Sequence, residues 1–191
     1  RWRGSTPSWT ISKNKTCLEK YFRPMVCNWE TAEKFIEKSR IYRIAESIGL
    51  PAPKTFYPQS ESDARRISFS MEYPCLVKPV SSHIFAPKFK RKLFRVNTPT
   101  ELVDTYRSIA TKGFKMMIQE DIPGEDRDLV TLNTVFNENS EPLIVFMHRR
   151  IRQNPPSYGV VSLGESVWEP RIIDPCMKLL KAIRFQGIAH V

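Results

Sequence analysis

Residues 73–79 read Tyr73-Pro74-Cys75-Leu76-Val77-Lys78-Pro79, a short apolar run bounded by proline on both sides and closing on a lysine. Within it, Cys75–Pro79 fits a short buried strand. Its lysine has two readings. It snorkels to water along its aliphatic stem, or it lies beside an anion, because a buried ammonium needs a partner. Residues 118–126, Ile118-Gln119-Glu120-Asp121-Ile122-Pro123-Gly124-Glu125-Asp126, read as a second strand running into a Pro-Gly turn. Each stretch alone is also an ordinary structural element.

Outward from these two strands the chain alternates helices and strands. Thr31 is a fair helix N-cap, and Phe35, Ile36, Ile41, Ile44, Ala45 and Ile48 fall at helical spacing up to Gly49, with Pro51 and Pro53 beyond. Lys54–Tyr57 reads as a short strand, and Ser60–Asp63 precedes a helix running to Met71. Residues 81–92 read as a basic loop holding His83, Lys88, Lys90, Arg91 and Lys92. Phe94–Val96 is expected as a strand, Pro99–Ala110 as a helix with proline near its start, and Met116–Glu120 as a strand. Leu129–Phe136 and Leu143–Ile151 read as a hairpin turning at Asn137–Ser140, stopped by Pro155-Pro156. A helix follows over 172–184, then a strand from Gly187 to Val191. Residues 1–30 show no clean period. This order fits two α+β lobes better than a doubly wound sheet.

Composition bounds the function. The chain has 191 residues, 41% of them hydrophobic, and eleven phenylalanines, which excludes a disordered polypeptide. No apolar run is long enough to cross a bilayer, so no membrane partner is expected. The net charge of +10 and pI near 9.6 favour polyanions such as nucleoside triphosphates or nucleic acid. Cys17, Cys27, Cys75 and Cys176 are far apart with no interleaved histidine, which argues against a zinc site. The start, Arg1-Trp2-Arg3-Gly4-Ser5, has neither an initiator methionine nor a signal segment. An excised fragment of a cytoplasmic protein is expected on that basis.

Phosphoryl transfer from ATP needs cations at the phosphates, a slot for adenine and an acceptor for the ribose hydroxyls. Three segments match this in order: Glu37-Lys38 opening a helix that ends in Gly49-Leu50-Pro51-Ala52-Pro53, then Pro74-x-x-Val77-Lys78-Pro79, then Gln119-Glu120-x-Ile122-Pro123-Gly124-x-Asp126. Together they resemble the ATP-grasp superfamily, over roughly Cys27 to Val191. Within it the likeness is to carboxylate–amine ligase-like members, which also carry an Arg-rich strand similar to His148-Arg149-Arg150-Ile151-Arg152-Gln153-Asn154-Pro155-Pro156.

The resemblance implies an α+β fold: two small lobes with mainly antiparallel sheets flanked by helices, and a nucleotide cleft between them. The implied organisation is a leading segment over 1–30, a first lobe over 31–118 and an incomplete second lobe over 119–191. It implies ATP and Mg2+ as cofactors and ligation of a carboxylate to an amine or thiol through an acyl phosphate. Carried over by position, Lys78 contacts the ATP phosphates, with Lys38 as a second lysine and Lys92 in the basic loop. Gln119 or the adjacent backbone carbonyl meets the adenine amino group, beside Glu120, and the Ile122 N–H meets a ring nitrogen. Asp126 accepts from the ribose, and Arg149 and Arg152 serve the phosphate or acyl phosphate. Without that register, Lys38 also fits the solvated face of a helix, and Asp126 competes with Glu120, Asp121 and Glu125.

Two departures from the pattern stand out. The family commonly has a glycine-rich loop after the phosphate lysine; Val80–Lys92 contains no glycine, so its cations would replace backbone donors in a loop expected to be mobile without nucleotide. Gly187–Val191 matches the lead-in to the first metal-binding glutamate, and the sequence stops there. The magnesium ligands are therefore expected beyond Val191, none within these residues, leaving this chain inactive alone. The competing functions are a nucleic-acid-binding domain, from the basic segment beside Phe85, Phe89 and Phe94, and a non-catalytic ATP-grasp scaffold. Nucleic acid is the less expected partner, because the three ordered motifs would then be coincidence.

Overall fold

The computed structural model of the chain describes residues 6–36, 38–156 and 158–191. Among them lie two four-stranded antiparallel sheets, each in its own compact unit. One unit is built on Pro51–Pro123 and the other on the residues up to Ile36, Arg40–Leu50 and Gly124–Val191. The α+β architecture with mainly antiparallel sheets is as the sequence implies.

In the Pro51–Pro123 unit the sheet order is β1 (Thr55–Phe56), β4 (Met116–Glu120), β2 (Cys75–Pro79), β3 (Phe94–Val96). The central strand β2 is buried on both faces, which is why its sequence reads as a continuous apolar run rather than an alternation. Alternate residues nevertheless go to opposite faces. Cys75 and Val77, with Met116, Ile118 and Val96, pack against α5 (Glu61–Ser68), α6 (Ser82–Phe89) and α7 (Pro99–Ala110) through Ala64, Ile67, Phe85, Leu102, Val103, Tyr106 and Ile109. Leu76, Lys78, Met117 and Gln119 take the other face, in the register Leu76↔Gln119 and Lys78↔Met117.

Two of the three helices on this core, α5 and α7, start with a side-chain cap. Ser60 Oγ accepts from the Asp63 N–H at 3.1 Å. Thr98 Oγ1 accepts from the Glu101 N–H at 3.2 Å while Glu101 accepts from the Asn97 N–H at 2.8 Å. Each cap contributes about 1 kcal/mol.

The expected basic loop is corrected here: α6 occupies Ser82–Phe89. The missing glycines are part of the cause, since nothing forces the backbone open. Phe85 and Phe89 sit one helical turn apart and stack at 4.2 Å between centroids. Phe85 is fully buried, with its ring edge-on to Phe114 at 5.4 Å. Its burial stabilises the helix more than the segment's weak helical propensity opposes it.

In the other unit the sheet order is β7 (Val160–Ser166), β6 (Pro142–Asn154), β5 (Val130–Phe136), β8 (Gly187–His190). One face, through Phe136 and Ala189, packs on α8 (Pro170–Ala182), α3 (Trp29–Ile36) and α4 (Lys38–Ser47), with Cys27, Ala32, Leu180, Ile183 and Phe185 in the same core. The leading segment, which shows no sequence period, carries α1 (Thr6–Lys13) and α2 (Lys15–Leu18).

Candidate functional site

Lys78 stands near the end of β2 on the face opposite the helices. Its Nζ donates to Gln119 Oε1 across the β2–β4 pair. Gln119 is only 2% exposed, so its amide must be satisfied within the protein. The amide's orientation is determined by chemistry. Thr55 Oγ1 donates to the Pro53 carbonyl at 2.6 Å, so it can only accept from Gln119, and Gln119 Nε2 donates to it at 2.7 Å. Oε1 is thereby turned to the ammonium of Lys78.

The rest of the second motif extends from β4. Glu120 donates its N–H to the Lys54 carbonyl at 3.0 Å, and its side chain is half-buried. Asp121 accepts from Arg95 Nε at 2.7 Å. Ile122 is 60% exposed, an apolar side chain presented to solvent beside the strand end. Burial, with Asp121 as a lesser cause, pushes the Cys75 thiol up to about 11, so it is a core thiol rather than a nucleophile.

The cations after Lys78 are braced by aromatic rings. Lys88 lies over Phe114 at 5.3 Å, Arg91 over Phe94 at 5.8 Å and Lys112 over Phe89 at 5.1 Å. Lys92 is exposed. Lys38 is the first residue of α4, and its side chain lies outside the described residues.

In the other unit, Asp126 opens a 3-10 turn (Asp126–Asp128) and accepts from Gln153 Nε2 at 2.6 Å. Gln153 Oε1 in turn accepts from Arg150 Nη1 at 3.2 Å. Arg149 pairs across β6–β7 with Glu165, Nη1 to Oε1 3.8 Å. The register shifts on both sides of Arg152, which lies exposed opposite Leu163. On the face carrying Arg150 lie His148, Asn133 and His190, linked through the Asn133 amide. Burial first, then electrostatic repulsion on the His148 and Arg150 side, holds His190 below the ordinary imidazole range.

No family model matches the chain. It is 25% identical over 193 residues to the D-aspartate ligase of Enterococcus faecium strain Aus0004, covering 94% of this chain and 45% of the relative. Its structure is similar to a biotin carboxylase complex from Campylobacter jejuni with a TM-score of 0.75, 14% identity, and coverage of 99% of this chain and 43% of the other. The D-alanine–D-alanine ligase of Bacillus anthracis matches with a TM-score of 0.66, 16% identity, and coverage of 99% and 61%. The chain carries an ATP-grasp fold. It spans less than half the length of the curated relative it matches.

Within this ATP-grasp fold the sequence-derived positions separate into two local groups. Lys78, Gln119, Glu120 and Ile122 fall on or beside one sheet, whereas Asp126, Arg149 and Arg152 belong to the other unit. The structure adds residues that the sequence reading passed over. Thr55 fixes Gln119, and Gln153 joins Asp126 to Arg150. His148, named in sequence only as part of the Arg-rich strand, is linked through Asn133 to His190. The alternation of His148 and Arg150 was the available signal, because alternate strand residues share a face.

The Thr55 contact gives a first prediction for the ATP-grasp chain. Thr55→Val leaves the buried Gln119 N–H without its acceptor, which costs about 1–3 kcal/mol. Thr55→Ser keeps the hydroxyl and should unfold in urea within about 1 kcal/mol of the native chain. Equal stabilities for the valine and serine variants would show that the hydroxyl bond contributes nothing.

Proposed function

We propose that this chain is the ATP-binding portion of an ATP-dependent ligase that joins a carboxylate to an amine or thiol through an acyl phosphate. The observation that carries the proposal is the half-buried Lys78 of β2 held by the buried Gln119 of β4, a strand running into Asp121–Gly124, within an ATP-grasp fold. The similarity to a D-aspartate ligase over 94% of the chain supports it.

In this reading Lys78 meets the ATP phosphates, with Lys38 and Lys92 as further cations. Because the Gln119 side chain is committed to Lys78 and Thr55, the adenine edge is met by backbone from Glu120 to Ile122. Asp126 serves the ribose, and Arg149 and Arg152 the acyl phosphate. Formation of an acyl phosphate places negative charge on transferring oxygens, which fixed cations stabilise without reorganisation. Among the described residues no group of three or more His, Cys, Asp or Glu is placed to hold a metal ion. Magnesium, the ion expected with ATP, belongs to this reading as a cofactor of the whole protein. A cytoplasmic location belongs to the same proposal, supported by four free cysteines. No helix among the described residues is long and apolar enough to cross a membrane.

The test is ligand-dependent unfolding. MgATP should raise the melting temperature of the chain saturably, and a labelled single-stranded oligonucleotide should not shift at moderate salt. Oligonucleotide binding without an ATP effect would replace this reading with the nucleic-acid one. ATP binding without ADP release in the presence of carboxylates and amines would favour a non-catalytic scaffold.

A further inference from the structure

His148 and Arg150 alternate along β6, opposite Ser166 and Gly164 of β7, so both side chains stand on one face of their sheet. Asn133 of β5 bridges two imidazoles on that face: its Nδ2 lies 3.1 Å from His148 Nδ1, and its Oδ1 lies 2.8 Å from His190 Nδ1. The same Nδ2 donates to the Phe146 carbonyl at 3.5 Å, which assigns the amide nitrogen to that side. His148 Nδ1 is then the acceptor nitrogen, and the proton of the neutral ring resides on Nε2. That N–H is buried and has no hydrogen-bond partner among the described residues, and the same is true of the Arg150 Nε–H.

Arg150 is held by a second oriented amide. Gln153 Nε2 donates to the Asp126 carboxylate at 2.6 Å, which turns Gln153 Oε1 toward Arg150 Nη1 at 3.2 Å. Two buried donors, two residues apart on one strand face and each fixed by a side chain whose orientation is itself determined, lack only an acceptor. Leaving such donors unpaired is costly, and native proteins rarely do it without a ligand or water in mind of the site's chemistry. The permanent charge of Arg150 disfavours a cation there.

We propose that His148 Nε2–H and Arg150 Nε–H form an oxyanion site that takes a phosphate or carboxylate oxygen of a ligand. The site stands on the strand's own geometry; only the choice of ADP as a probe rests on the proposed function.

Long-range proton–nitrogen correlation spectra of the 191-residue chain read the His148 tautomer directly. The free chain should show the Nε2-protonated form. Pyrophosphate and ADP, or succinate, should shift His148 saturably, while uncharged adenosine should not. Phosphate-bearing probes alone identify a phosphate source, and succinate alone a carboxylate source. Arg150→Met should weaken the active anion at least about tenfold, the loss of one charge-assisted hydrogen bond. An Nδ1-protonated His148, or silence toward all the anions, or undiminished affinity in Arg150→Met overturns the proposal; the first two are read on the native chain and need no variant to fold. If ADP protects the chain through Lys78 while His148 stays silent to every anion, the oxyanion site fails and the nucleotide reading stands. If pyrophosphate or succinate shifts His148 but ADP binds nowhere, the reverse holds.

Discussion

Lys78→Ala should remove the MgATP-dependent rise in melting temperature and, with it, any ATP-dependent turnover. Lys78 is the cation on the inner strand of its sheet, and Gln119 holds its Nζ in place from β4. A hydrogen bond to a charged group contributes about 1.5–3 kcal/mol, so the loss of phosphate contact alone predicts roughly 10- to 150-fold weaker ATP binding. The variant carries a second cost, because the buried Gln119 carbonyl oxygen loses a donor, worth about 1–3 kcal/mol of stability. The two effects are separable. Adenosine, which has no phosphate, should bind Lys78→Ala and the native chain alike, whereas ATP should not. Lys78→Arg should not restore ATP binding, since a planar guanidinium cannot occupy the ammonium's position against Gln119. In a double-mutant cycle Lys78→Ala and Gln119→Leu should couple, by about 0.5–3 kcal/mol, because they remove one shared interaction. An unchanged MgATP effect in a folded Lys78→Ala chain would mean that Lys78 is a structural lysine and that the nucleotide lies elsewhere.

The strands that flank this lysine were legible because their signals are local. Cys75–Pro79, Phe94–Val96 and Met116–Glu120 are short apolar runs with breakers beside them, and Pro99–Ala110 announces itself by the proline at its start; all four occur with the bounds read from the sequence. Val160–Ser166 was missed for the opposite reason. It is an edge strand, mostly exposed, interrupted by Gly164, and it exists through its pairing with β6. Gly164 has a reason invisible in sequence: a Cβ there would come within 3.0 Å of the Arg149 carbonyl oxygen. The site divides along the same line. Lys78 and Gln119 could be named from the motif, but not that Thr55, 64 residues earlier, orients Gln119. Nor could it be foreseen that Asn133 joins His148 to His190, 57 residues away. Amide orientations are set by partners that only the fold brings together.

Phe85→Ala should be the most damaging single change in the Pro51–Pro123 unit. The ring is fully buried, stacked on Phe89 at 4.2 Å and edge-on to Phe94 and Phe114 at 6.1 and 5.4 Å. It belongs to the same core as Val77 and Ile118, which lie on the β2 and β4 strands that also carry Lys78 and Gln119. Truncating a buried phenylalanine costs about 3–5 kcal/mol, a large part of the roughly 5–15 kcal/mol that holds a domain folded. Urea unfolding should show that loss, and Phe85→Leu, which keeps most of the volume, should cost far less, about 1–1.5 kcal/mol. Hydrogen exchange then decides how far the damage travels. If α6 is anchored through Phe85, the amides of Ser82–Phe89 lose protection first, and those of Cys75–Pro79 follow because Val77 belongs to the same core. Lys88 and Lys112 sit over Phe114 and Phe89, the rings that Phe85 positions, so the cationic surface should loosen in the same variant. A stability change under about 1 kcal/mol would show instead that α6 is a loosely attached segment, as the basic stretch 81–92 that contains it first implied.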